Sequence, residues 1–238
     1  LPVHYTGYMA NMKIVNKIAK KYNLIVVEDA CQSILGSIDG KNAGLWGQTG
    51  AFSLHPLKNL NVWSDGGVIV TNSLNICNKI KLLRNHGLKD RDNMVIPGFN
   101  SRLDTFQAVV GNWIIPKAVS ISNQRIKNAN YLDRKFRLIH QINIPPRIKG
   151  YRLVYHLYIL FAKNRDKLLK YCINHGIEAK IHYPIPIYLQ KGLKQLGHKK
   201  GDFPVTDSHV KKIITFPCDQ HLTKSQLKHL RTNLHQTV

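Results

Sequence analysis

Two residues carry the clearest chemical signal. Lys58 is the only lysine between Lys41 and Lys79 in a chain that holds 25 of them. It follows Phe52-Ser53-Leu54-His55-Pro56-Leu57, among apolar and aromatic neighbours. Desolvation disfavours an ammonium, so a lysine held in such a setting has its pKa drawn down. A neutral amine is what a carbonyl carbon needs to form a Schiff base. The alternative at this position is a solvated loop lysine. Asp29 is the second residue, closing the run Leu24-Ile25-Val26-Val27-Glu28-Asp29. A carboxylate at the end of a buried strand is costly unless it meets a cation. A pyridinium nitrogen is such a cation, and an acidic partner to that nitrogen is a requirement of pyridoxal-phosphate chemistry. The alternative is that Glu28 or Asp29 caps a following helix. Gln32, three residues on, either reaches the same ring through its amide or lies on a helix face.

The elements that position these groups read as α/β. Met12, Ile14, Val15 and Ile18 recur at helical spacing within Met9–Lys21, and Asn23 is a stop signal. The apolar run from Leu24 to Val27 reads as a buried parallel strand, which delivers its acids at the C-terminal edge where ligands of open α/β sheets sit. Strands are expected at Gly50–Leu54 and Gly67–Thr71, then a helix from Leu74 to Arg84 closed by Asn85-His86-Gly87. A helical pattern from Ser101 to Arg137 is interrupted at Pro116. A smaller α+β unit follows, with strands at Arg152–Ala162 and Ile213–Phe216 and a helix from Arg165 to Asn174 ahead of Gly176. The last expected helix runs from Thr223, as N-cap, to Leu234. The expected division is 1–125 and 126–238.

Bulk composition narrows the class. The chain has 238 residues, 43% hydrophobic, enough for one or two cored domains. No apolar run approaches the ~20 residues that cross a bilayer, and Leu1 begins no secretory signal pattern. The chain opens inside what reads as a strand, so an internal piece of a longer protein is expected. Net charge is +22, and it is uneven: residues 1–120 carry 13 basic and 7 acidic side chains, residues 121–238 carry 22 and 6. That excess invites a nucleic-acid reading, but the lysines are scattered and no reading motif or aromatic ladder accompanies them. Cys31, Cys77, Cys172 and Cys218 are far apart with no CxxC, so neither zinc nor a disulfide framework is indicated, and a reducing cytoplasm suits them.

Collinear blocks extend the signal. They are Glu28-Asp29-Ala30-Cys31-Gln32, Phe52 to Asn59, Asp65-Gly66-Gly67-Val68-Ile69-Val70-Thr71-Asn72 and Leu83-Arg84-Asn85-His86-Gly87. They continue with Gly98 to Asp104, His182-Tyr183-Pro184-Ile185-Pro186 and Gly201-Asp202-Phe203-Pro204-Val205. Together they resemble the nucleotide-sugar aminotransferases of the DegT/StrS family across essentially the whole chain.

The resemblance implies a fold-type I aminotransferase, a partial large α/β domain with a small C-terminal α+β domain, working as a homodimer. It implies that Lys58 holds pyridoxal phosphate covalently and shuttles protons, Asp29 pairs with the pyridine nitrogen, Gln32 lies by the ring hydroxyl and Ser53 binds the phosphate. Asn100 would reach the phosphate of the partner chain's cofactor. Arg102, His182 and Tyr183 would line the sugar-nucleotide pocket, and the His-Tyr-Pro-Ile-Pro form is similar to members acting on 3-keto sugars. The implied reaction moves an amino group, from glutamate, onto a keto nucleotide-sugar in surface-polysaccharide or deoxyaminosugar synthesis. His55, His86 and His156 are read as packing or loop residues. Two departures accompany the match. The family's N-terminal part, with its Gly-Thr/Ser phosphate-binding segment and ring-stacking aromatic, has no counterpart here, and Ser64 stands where a glycine is usual. An inactive homologue that dimerises or binds anions or nucleic acid is the alternative function. The chain alone is expected to bind cofactor weakly and to turn over little or nothing.

Overall fold

The computed structural model describes residues 1–236 and divides the chain into two compact units, 1–123 with 148–156 and 124–147 with 157–238. Within the first unit, helix α1 (Met12–Lys21) is opened by Asn11, whose side chain accepts from the Ile14 amide. It buries Met12 and Ala19. Strand β1 (Val27–Asp29) follows, then the short strands β2 (Ser37–Ile38) and β3 (Lys41–Asn42), joined at Asp39-Gly40 with both residues at positive φ. That is the conformation of a tight hairpin turn, and Asp-Gly favours it. β4 (Thr49–Ser53) and β5 (Gly67–Val70) complete a sheet of order β1-β4-β5, with β1 parallel and β5 antiparallel to β4.

This sheet has one covered face. Side chains alternate across a strand, so Glu28 and Phe52 point one way, Asp29, Ala51 and Ser53 the other. Met12, Ala19, Val26 and Ile38 form a core on the first face, with Trp46 and Phe52 against it. The expected burial of Leu24–Val27 is corrected accordingly. Val26 is buried, but Ile25 is 75% and Val27 39% exposed, and Ile69 on the same side of the sheet is 52% exposed. The run is apolar throughout, yet only one of its sides finds a partner.

Ser73 caps helix α2 (Leu74–Leu83), and Asp104 with Gln107 forms a capping box on α3 (Thr105–Ile114). Pro116 sits in a 3-10 turn, and α4 (Ala118–Phe136) resumes the helix and carries the chain into the second unit. There β6 (Ile142–Asn143) lies before an excursion back to the first unit. In that excursion β7 (Tyr151–Arg152) pairs with β2, Arg152 donates to the Leu35 carbonyl and Val154 accepts from Asn59. The single expected strand Arg152–Ala162 is thus two elements, separated at Tyr155, whose φ is +47°. The expected single division at 125/126 misses this return, because long-range pairing rather than composition pulls residues 148–156 back.

In the second unit β8 (Tyr158–Ala162) stands at the centre of a sheet of order β6-β8-β9, where β9 is Ile213–Phe216. Helices α5 (Arg165–Asn174), α6 (Pro204–Val210) and α7 (Lys224–Gln236) accompany it. Thr223 caps α7 through the Gln226 amide, as expected. Phe136 packs against both Tyr158 and Phe216. Beneath them Asp133 accepts two hydrogen bonds from Arg147 and one from the Tyr158 hydroxyl. No helix among the described residues is long and apolar enough to cross a membrane.

Candidate functional site

The parallel register sets Asp29 beside Ala51, so Asp29 and Ser53 lie at the C-terminal ends of neighbouring strands on the open face. Asp29 is partly buried. One of its oxygens accepts the Cys31 amide at 3.1 Å, and it forms no ion pair among the described residues. No helix follows β1. Residues 30–36 run through successive turns, Ser33 N to Ala30 O and Gly36 N to Ser33 O, which removes the helix-capping alternative for Asp29. Gln32 lies in these turns, where its side-chain oxygen holds the Thr6 amide at 2.6 Å.

Lys58 sits in a tight turn just past β4. Its amide donates to the His55 carbonyl, the Leu57 amide to His55 Nδ1, and the His55 amide to Ser53 Oγ at 3.3 Å. The lysine is half-buried, while Leu57 beside it is 77% exposed. The apolar setting read from sequence is therefore only partly present. Two strand-edge residues and this turn nevertheless converge. Burial first, then the Asp29 hydrogen bond and charge, push the Cys31 thiol up to about 11, against a pull back from the Lys58 charge. One thiol thus feels both the carboxylate and the amine.

Two supports of this edge are illegible in the sequence. Glu28 is fully buried on the covered face and accepts four hydrogen bonds: His4 Nε2 at 2.8 Å and the amides of Gly44, Trp46 and Gly47 at 2.9, 2.6 and 2.7 Å. The Ala10 amide donates to His4 Nδ1, so the His4 proton sits on Nε2. Burial raises the Glu28 pKa, but the His4 and amide hydrogen bonds more than offset it, leaving the carboxyl below its ordinary value. A Cβ on Gly47 would lie 2.3 Å from the Val26 carbonyl, and Gly44 holds φ +82°, so glycine permits the approach that brings both amides in. Asn59 is the other support. It is buried beside Lys58, and its amide nitrogen donates to the Val154 carbonyl at 2.9 Å.

Asn100 and Arg102 are exposed and belong to a separate cluster of the first unit. Arg102 donates to Asn100 at 3.2 Å and to Asn85 at 3.1 Å. His182 and Tyr183 are in the second unit. His182 Nδ1 lies 2.9 Å from Thr215 Oγ1, and burial followed by the nearby Lys180 charge lowers its pKa. Tyr183 is exposed and meets the His182 ring edge-on. Among the described residues no group of His, Cys, Asp and Glu could hold a metal ion.

The sequence profile of the DegT/DnrJ/EryC1/StrS aminotransferase family matches residues 1–235. A "pleiotropic regulatory protein" of Geobacillus stearothermophilus is 33% identical over 97% of this chain and 62% of its own length. A UDP-N-acetyl-3-dehydro-alpha-D-glucosamine 3-aminotransferase of Acidithiobacillus ferrooxidans is 31% identical, over all of this chain and 64% of its own. The crystal structure of S. venezuelae DesV in complex with a ketimine intermediate superposes with a TM-score of 0.95 at 28% identity. That match covers 99% of this chain and 63% of that one. The chain thus spans somewhat under two thirds of the relatives it matches.

Proposed function

The chain belongs to the DegT/DnrJ/EryC1/StrS aminotransferase family, and on that premise we propose that it serves a pyridoxal-phosphate-dependent transfer of an amino group to a keto nucleotide-sugar. Relatives named as aminotransferases of UDP- and dTDP-linked sugars support the substrate class. The donor in this proposal is glutamate, the assembly is a homodimer, and the compartment is the cytoplasm, which the four unpaired thiols suit.

The residues fit the cofactor. A partly buried carboxylate with no ion pair among the described residues, a hydroxyl on the same sheet face and an amine on the next turn are the donor set it needs. Bound there, pyridoxal phosphate supplies an electron sink for the bond broken at the substrate carbon. Asp29 holds a proton on the ring nitrogen by its negative charge. Ser53 Oγ and the His55 amide behind it orient the phosphate. Lys58 Nζ binds the cofactor and, when free, takes and returns the proton of the substrate carbon. Gln32 flanks the ring, and its bond to Thr6 fixes that side of the site. Asn100 is assigned to the partner subunit's cofactor phosphate, and Arg102, His182 and Tyr183 to the sugar nucleotide. His182, with its lowered pKa, offers a neutral imidazole there.

The observation that carries this reading is that Asp29 and Ser53 share one sheet face with Lys58 on the turn that follows. Adding pyridoxal phosphate to the protein tests it by absorbance. At excess cofactor, a band that glutamate discharges slowly, and that Lys58→Ala lacks, is the expected result. No band, or one that glutamate leaves unchanged, overturns the reading.

A further inference from the structure

A cleft of about 790 Å³ opens on the second unit, between the β6–β8 edge of its sheet and the turn from α6 to β9. Small-molecule sites have volumes of ~300–1,000 Å³. Arg137, Arg147, Lys163 and Lys212 line it with His140 and His209, and no Asp or Glu is among its lining residues. Arg147 is neutralised by its bidentate pairing with Asp133. Arg137, Lys163 and Lys212 have no ion-pair partner among the described residues.

A single solvated lysine asks for nothing. Three unneutralised cations around one concavity repel each other and focus a positive potential into it, which concentrates anions there. They come from three elements: the end of α4, the end of β8 and the turn before β9. An anion with several charged groups matches that arrangement better than one carboxylate does. Phe161, whose ring lies 4.6 Å from that of His209, adds a flat apolar wall. His182 and Lys180 flank the outer edge of β9, and neither is among the residues that line the cleft. The cleft shares no residue with the substrate contacts assigned above and stands independently of them.

We propose that this cleft binds an oligophosphate, a chain of two or more phosphate groups, free or carried on a nucleoside. Isothermal titration of the whole chain at fixed ionic strength tests it, with inorganic tripolyphosphate in one arm and ATP in the other. Lys163→Ala with Lys212→Ala removes two charges from the cleft. Lys17→Ala with Lys20→Ala removes two from α1 and controls for net charge. All four side chains are exposed, and melting curves check that both variants fold. The expected result is a loss of tripolyphosphate affinity of at least about tenfold, or 1.4 kcal/mol, in the cleft variant only. ATP binding more tightly than tripolyphosphate supports the site with a nucleoside on the Phe161 wall, and equal binding supports it for the phosphate chain alone. No binding by the parent chain, or equal losses in the two variants, overturns the proposal. Equal losses would mean that the overall charge of +22, rather than this cleft, attracts polyanions, nucleic acid included.

Discussion

Replacing Glu28 by Gln removes one charge and almost no volume from the covered face of the sheet. Glu28 Oε1 accepts from the Trp46 and Gly47 amides, and Oε2 from Gly44 and His4. A glutamine oxygen can serve one of these pairs, but its NH2 group then faces the other two donors. His4 cannot relieve the conflict by changing tautomer, because its Nδ1 already accepts from Ala10. Each buried donor left without an acceptor costs about 1–3 kcal/mol, so two cost about 4 kcal/mol, a large part of the ~5–15 kcal/mol that holds a domain together. At ~2–4 °C per kcal/mol for a chain of this size, the melting temperature should fall by roughly 8–16 °C. The pH dependence gives a second readout. Glu28 sits below its ordinary pKa, so its stabilisation is present above the unfolded-state value and is lost as pH falls through the lower folded value. Thermal melts from pH 7 down to 3 should therefore show a smaller acid-induced loss for Glu28→Gln than for the parent. A variant that melts within ~2 °C of the parent, with the same acid profile, would refute the reasoning.

Other perturbations follow from the same contacts. Asp29→Asn should lower the Cys31 pKa from about 11 and speed its alkylation several-fold at fixed pH, whereas Lys58→Met should slow it; iodoacetamide labelling with mass mapping reads both, and equal rates would separate the three side chains. Asn59→Ala breaks the bond to Val154 and should cost about 1–3 kcal/mol in urea unfolding. Asp133→Asn leaves Arg147 without its counter-charge beside the Tyr158 hydroxyl. Breaking such a pair costs ~3–5 kcal/mol when it is buried, read as a lower urea midpoint of the second unit.

Local signals made much of the fold legible. Apolar runs marked β4 and β5, Asn23 and Gly87 marked helix ends, and Pro116 marked the break between α3 and α4. The hairpin of β2 and β3 was not expected, although Asp39-Gly40 is a turn signal. Long-range chemistry was not legible. Glu28 looks like a second acid beside Asp29, and only the tertiary return of residues 44–47 and His4 turns it into a buried anchor. Leu24–Val27 reads as uniformly buried, because sequence does not say which face of a strand finds a partner. The return of residues 148–156 to the first unit depends on backbone pairing with β2, which leaves no compositional mark. For the site, residue types and spacing singled out Lys58 and Asp29, while Asn59 was one letter in a matching block until its bond to Val154 appeared.

The most direct measurement is to add pyridoxal phosphate, reduce with borohydride and map the modified peptides. Lys58 lies on the turn after β4, next to the strand ends that carry Asp29 and Ser53. The predicted result is a single tag on Lys58, lost in Lys58→Ala and weakened in Asp29→Ala. Tags spread over the exposed lysines, or a tag whose yield Asp29→Ala leaves unchanged, would contradict it.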